Sequence, residues 1–386
     1  MTRLAIFSLM LTGCGSHQMT NAMDADMGGT YGGASAGGAT EGGAGEPGAM
    51  TAGEWKDIDD WQLWNTLLTD QTSVLYGIPE FWGFEFAERI PIQVMEDERP
   101  VADIGLILRD ADQQILWQAR TDNTGHAELF AGMFGITGPR PYSLDIDGGM
   151  GVTTLQDIQP DPWNDFIIEV PAAPAPPTVD LMFVIDTTGS MSDELSYLQV
   201  ELADMISRVH TEVGPNLDLR ISVNFYRDHG DKYVIRSFPF TADEDQAVSD
   251  LEDQRADGGG DWPEAVDEAL DDAIFAHDWR DRATSRLAFL VLDAPPHNDR
   301  ESVDRMHAAV TGAAAQGVRI IPLAASGADK NTEALLRSID IATGATYTFL
   351  TDHSGIGNDH EEPTIGQYEV EFLNDLLVRL VVESVQ

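Results

Sequence analysis

Leu181-Met182-Phe183-Val184-Ile185-Asp186-Thr187-Thr188-Gly189-Ser190 is a run of five apolar residues that breaks at once into a polar, glycine-containing turn. Five apolar residues without alternation suit a central parallel strand buried on both faces. In open α/β sheets, ligands bind beyond the carboxyl ends of such strands. Asp186 stands at that end, followed at alternate positions by Thr188 and Ser190. A hard divalent cation prefers oxygen ligands, and one carboxylate with two hydroxyls from a tight turn can fill one side of an octahedron. The alternate spacing lets the three oxygens converge from one loop.

Working outward, strand and helix patterns alternate over 179–386. Helices are expected at 193–209, 263–274, 301–315, 331–342 and from about 367 onward, by apolar residues recurring at helical spacing. Strands are expected at 219–226, 287–292, 318–323 and 346–350, with 233–240 as an antiparallel edge neighbour. The expected fold class is α/β: a doubly wound, Rossmann-like sheet with one antiparallel edge strand. Polar strings follow the strands at Tyr226-Arg227-Asp228-His229, Asp293-Ala294-Pro295-Pro296-His297, Ser326-Gly327 and Thr351-Asp352-His353, the last continuing to His360.

The Asp-x-Thr-x-Ser pattern after a buried strand, with Asp293 closing a later one, resembles the metal-ion-dependent adhesion site of von Willebrand factor A domains. The element order over 179–386 resembles that family too. The resemblance implies that Asp186, Thr188 and Ser190 are ligands of one divalent cation, directly or through water, with Asp293 a water-mediated partner. The family's second loop usually donates a threonine. Here that segment reads Gly258-Gly259-Gly260-Asp261-Trp262-Pro263-Glu264, a variant found in a subset of these domains, and Asp261 is the expected substitute ligand. A carboxylate there adds negative charge at the cation and weakens its pull on an acidic partner. Ca²⁺ is then as reasonable an occupant as Mg²⁺, with Mn²⁺ a third choice. Pro263-Glu264 by itself reads as the acidic first turn of a helix. Arg227, Asp228, His297, Ser326, Asp352 and His360 are expected behind the ligands or facing the bound partner. Arg227 is expected to pair with Asp228 or Asp231, and His297 to hydrogen-bond behind the site.

Residues 54–170 differ in character. They hold six of the eight tryptophans. After a helical pattern at Trp61, Trp64, Leu67 and Leu68 the period switches to two at Ile90, Ile92 and Val94, again at Ile104, Leu106 and Leu108, and at Ile115 and Trp117. Short strands with closely spaced turns read as an antiparallel β-sandwich. The segment from Pro100 to Leu129 resembles the transthyretin-like or carboxypeptidase-regulatory sandwich. Residues 171–178 are proline-rich, and so are expected to act as a stiff spacer holding the two domains apart.

At the N-terminus, 1–13 has a short apolar core, and Leu11-Thr12-Gly13-Cys14 resembles the bacterial lipobox. The resemblance implies a lipoprotein signal peptide (1–13), a lipidated Cys14 that anchors the chain to a membrane, and an outer-membrane destination, since no aspartate follows the cysteine. Residues 14–53 are rich in Gly and Ala and are expected to form a disordered tether, because they cannot bury enough apolar surface to offset backbone entropy.

The chain carries 66 acidic against 22 basic side chains, a net charge of -44, and one cysteine. No phosphate-neutralising surface fits that balance, so nucleic acid is excluded as a partner. One thiol excludes disulfides and multi-cysteine zinc sites. The expected function is a cell-surface, lipid-anchored binding protein that holds a divalent cation and a protein ligand, and not an enzyme. Two alternatives stand beside it: a metal-dependent hydrolase using Asp186, Asp261 and Asp293 with His297, or a metal-gated subunit of a larger complex. The hydrolase reading lacks a Ser/His/Asp order or an H-E-x-x-H helix.

Overall fold

The strand Thr178–Asp186 lies inside an eight-stranded sheet, parallel to both neighbours. The computed structural model describes residues 47–214, 216–260, 262–356 and 360–386. Cys14 with its signal segment, and Asp261, lie outside the described residues. The strand order is Ile235–Arg236, Asp218–Tyr226, Thr178–Asp186, Ser285–Leu292, Arg319–Ala324, Tyr347–Leu350, Thr51–Trp55 and Val370–Phe372. The five strands from Asp218–Tyr226 to Tyr347–Leu350 are parallel, and the outer strands pair antiparallel.

The apolar run divides between the two faces. Val179, Leu181, Phe183 and Ile185 join one buried cluster, with helices Leu195–Val213 and Leu373–Glu383. Met182 and Val184 join the other, with Arg300–Gln316 and Lys330–Thr343. Cover on both faces is why residues 181–185 show no polar alternation.

Several expected elements change length. The antiparallel edge expected at 233–240 shrinks to Ile235–Arg236. The helix expected at 263–274 begins at Val266 and ends in a π-helical turn, Asp272–Ala276. The closing helix starts at Leu373, after a short strand, Val370–Phe372.

The tether reading of 14–53 is corrected at its end. Thr51–Trp55 is a strand inserted between Tyr347–Leu350 and Val370–Phe372, so a boundary at 53/54 cuts a sheet strand. The Glu201 carboxylate accepts the backbone N–H groups of Gly48, Ala49 and Met50 at 2.9, 2.7 and 3.1 Å, fixing the chain before the strand. Gly53 is needed here, because a Cβ would meet the rings of Phe349 at 2.6 Å and Tyr368 at 2.8 Å.

The preceding half holds two four-stranded sheets. One orders Arg99–Pro100, Arg89–Glu96 and His126–Phe130, with Phe166–Glu169 beside Arg89–Glu96. The other orders Ile115–Arg120, Gly105–Arg109, Tyr142–Asp147 and Val152–Ile158. Phe166–Glu169 runs parallel to its neighbour, so the sheets are not wholly antiparallel.

The proline-rich segment does not hold two bodies apart. Ile92, Leu129, Leu108, Trp117 and Leu144 of the two small sheets belong to the same buried cluster as Val310, Leu335 and Ile339 of the α/β half. Arg337, fully buried, donates to both oxygens of Asp57 at 2.7 and 2.8 Å. Buried Asp103 accepts from Arg286 and Arg120, each at 3.0 Å. No helix among the described residues is long and apolar enough to cross a membrane.

Candidate metal centre

The turn after Thr178–Asp186 carries three oxygens in a connected row. Asp186 Oδ1 accepts the Thr188 backbone N–H and the Thr188 hydroxyl, both at 2.7 Å. Thr188 Oγ1 is 3.2 Å from Ser190 Oγ. Adjacent ligands of an octahedral Mg²⁺, at about 2.0–2.1 Å from the ion, stand roughly 2.9 Å apart, so this row has the right spacing. Asp186 and Thr188 are buried and Ser190 is exposed, which leaves the row open on the Ser190 side.

The glycines of the second loop allow it to lie against this turn. Gly189 donates to Gly258 O at 3.2 Å, and a Cβ on Gly189 would meet that oxygen at 2.8 Å. Gly258, at φ +83°, sits where a Cβ would meet the Asp231 carboxylate at 2.2 Å, and Gly259 donates to Asp231 Oδ2 at 2.9 Å. A Cβ on Gly259 would be 3.3 Å from Thr188 Cβ and 3.2 Å from Glu264 Oε1. The loop that leads to Asp261 therefore touches the predicted site.

Asp293 follows the neighbouring strand Ser285–Leu292 and is buried. Burial pushes the Asp186 carboxyl up to about 7, and the Asp293 charge adds to the rise. Thr188 acts in the opposite direction on Asp186, by hydrogen bonding to its charged form through its N–H and its hydroxyl. Burial and the surrounding carboxylates push the Tyr226 phenol well above its ordinary value.

Glu264 is the residue that sequence reasoning missed. It does not belong to a helical first turn: its N–H donates to Pro295 O at 3.0 Å, and it bridges Pro296 ahead of the helix. The residue is 4 % exposed. Burial, then the charges of Asp186, Asp228, Asp293 and Asp231, push its carboxyl up to about 9. Asp186 Oδ2 and Glu264 Oε2 are both buried with no donor in hydrogen-bond geometry among the described residues. Neither acid has a Lys or Arg partner among the described residues. A buried carboxylate without donor or counter-charge is costly. This oxygen-rich set thus fits a hard divalent cation, which would supply the missing charge.

The other expected residues separate into two groups. Asp228 and His297 come together, with His297 Nε2 2.8 Å from Asp228 Oδ1. Ser326, Asp352 and His360 gather around buried Glu194. Ser326 N–H donates to Glu194 Oε1 at 3.2 Å, His360 Nε2 is 3.3 Å from the same oxygen, and His360 Nδ1 is 2.7 Å from Asp352 Oδ1. Arg227 pairs with neither Asp228 nor Asp231. It donates to Arg255 O at 2.7 Å, stands 3.7 Å from Asp257 and lies over the Tyr233 ring, so it braces the second loop.

A stretch of 126 residues is 29% identical to an ariadne-like RING finger protein of Acanthamoeba polyphaga mimivirus. That similarity covers 33% of this chain and 12% of the relative, so the chain spans a small fraction of that protein's length. The family model described as von Willebrand factor A domain matches residues 180–356, which lie in the α/β half of the chain and include Asp186, Thr188, Ser190 and Asp293.

Proposed function

We propose that the chain is an interaction module that holds one divalent cation, Mg²⁺ or Ca²⁺, and presents it to an acidic group of a protein ligand. The observation behind this reading is the pair of buried acids, Asp186 and Glu264, each with an oxygen that meets no donor among the described residues. Asp186, Thr188 and Ser190 would hold the ion, with Asp293 beside them and Asp261 contributed by the second loop. When bound, the cation offers a Lewis-acidic contact to an incoming carboxylate. Glu264 adds a carboxyl that the sequence reading did not include. Extra negative charge weakens that contact and favours Ca²⁺, whose site tolerates more oxygens than that of Mg²⁺.

The site reads as binding, not catalytic, because His297 is engaged by Asp228. In the same proposal Cys14 is acylated and anchors the chain on the cell envelope, at the outer membrane. The small sheets form a β-sandwich base packed under the binding domain. The excess of acidic residues keeps anchored neighbours apart by repulsion. The experiment is thermal unfolding of the full chain with and without Mg²⁺ or Ca²⁺, beside Asp186→Ala. The reading expects stabilisation in the parent and none in the variant.

A further inference from the structure

Beside the oxygen row lies a cluster of different chemistry. Asp228, His229 and His297 bring one ligand atom each to within 4.8 Å of one another. Asp228 and His229 come from the turn after Asp218–Tyr226, and His297 from the turn after Ser285–Leu292. These two strands flank Thr178–Asp186, so the sheet order brings the turns together. His229 and His297 stack, with centroids 5.5 Å apart and planes at 18°. A carboxylate attends each ring: His297 Nε2 is 2.8 Å from Asp228 Oδ1, and His229 Nε2 is 2.8 Å from Glu268 Oε1.

We infer that Asp228, His229 and His297 form a second metal site, for a borderline-soft transition ion of the Zn²⁺ class, with Glu268 holding the His229 ring beside it. Imidazole nitrogens select Zn²⁺, Ni²⁺ or Cu²⁺, whereas Mg²⁺ and Ca²⁺ take carboxylates, hydroxyls and water. Two imidazoles with one or two carboxylates match the ligand types of zinc sites. The Asp228–His297 pair, at 2.8 Å, is within about half an ångström of the roughly 3.3 Å edge of a zinc tetrahedron, and the His229 ligand atom lies within 4.8 Å of both. The His229 side chain is 54% exposed, which gives the ion a way in. Glu268 is shared with Arg305, whose Nη1 lies 3.4 Å from the same oxygen.

This inference does not depend on the Mg²⁺ or Ca²⁺ reading, since it uses neither Asp186 nor Glu264. The test is a calorimetric Zn²⁺ titration in excess Mg²⁺ of the full chain carrying Cys14→Ser, which removes the one thiol. Co²⁺ in place of Zn²⁺ reports the ligand field by visible absorption. One equivalent of Zn²⁺ is expected, together with a tetrahedral or five-coordinate Co²⁺ spectrum. His229→Gln and His297→Gln should each weaken uptake by about tenfold or more. Asp186→Asn should leave Zn²⁺ uptake unchanged while removing the response to Mg²⁺. His229 is half exposed, so its variant carries the test even if His297→Gln fails to fold. No uptake by the parent, unchanged uptake in His229→Gln, or loss of uptake in Asp186→Asn overturns the inference. The histidines would then be paired with their carboxylates only, or the ion would sit at the oxygen row. Zn²⁺ uptake without any Mg²⁺ response in the parent would remove the hard-cation reading alone.

Discussion

Asp186 Oδ1 holds Thr188 twice, by its N–H and its hydroxyl at 2.7 Å each, while Oδ2 of the same carboxylate is buried with no donor among the described residues. One oxygen shapes the turn and the other is left to attract a cation. Asp186→Asn keeps the shape and removes the charge. It is expected to lower Mg²⁺ or Ca²⁺ affinity by at least about tenfold, or about 1.4 kcal/mol, and to leave the cation-free protein as stable as the parent or more so. Differential scanning fluorimetry with and without the cation checks both. A variant that loses stability without cation and still responds to it contradicts this account.

Stability should depend on pH in a defined direction. Asp186 and Glu264 bind protons more tightly in the folded chain than in the unfolded one, at about 7 and about 9 against ordinary values of 3.8 and 4.5. Their contribution to stability is therefore complete below about pH 4. It is lost as pH rises through 7 and then 9. A bound cation reverses the loss by replacing protons, so affinity rises with pH and binding releases protons. Calorimetry in buffers of different ionisation enthalpy at pH 6–7 measures the release. An enthalpy independent of buffer contradicts this assignment.

Glu264→Gln should stabilise the cation-free protein above about pH 7, because the group no longer has to ionise among Asp186, Asp228 and Asp293. The same change should weaken Ca²⁺ more than Mg²⁺, since Ca²⁺ makes use of a larger oxygen set. Titrations of both ions against parent and variant give the ratio. An equal effect on the two ions would place Glu264 away from the coordination set.

The junction between the halves offers a structural test. Arg337 is fully buried against Asp57 and Glu333, and Arg337→Met leaves those acids buried without a counter-charge. Breaking such a pair costs about 3–5 kcal/mol. Gly53→Val should also destabilise, by about 1–3 kcal/mol from overpacking against Phe349 and Tyr368. Denaturant unfolding of both variants is the measurement. A Gly53→Val protein as stable as the parent would mean that 51–55 is coil, as its composition suggests.

What could be read without the structure followed from local chemistry. The run 181–185 named its strand because burial on both faces leaves a continuous apolar signature, and the resemblance of the turn after it to a known cation motif singled out Asp186, Thr188 and Ser190, whose oxygens stand in one row. Thr51–Trp55 escaped because its neighbours are Gly- and Ala-rich, and its partners lie some 300 residues away, at Tyr347–Leu350 and Val370–Phe372. Glu264 escaped because a Pro-Glu pair is also how many helices begin. Only the bridge to Pro295 and Pro296 turns its carboxyl toward the acids. The closeness of His229 to His297 depends on the order of strands, which no local pattern encodes.

The most direct measurement of the central claim is calorimetric titration of the full chain with Mg²⁺ and Ca²⁺, paired with Asp186→Asn. The account predicts saturable binding of one ion at the oxygen row, with about 2.7 kcal/mol of stabilisation at a hundredfold excess over Kd, and its loss in the variant. Identical titrations of parent and variant, or no heat and no stabilisation with either ion, would contradict it.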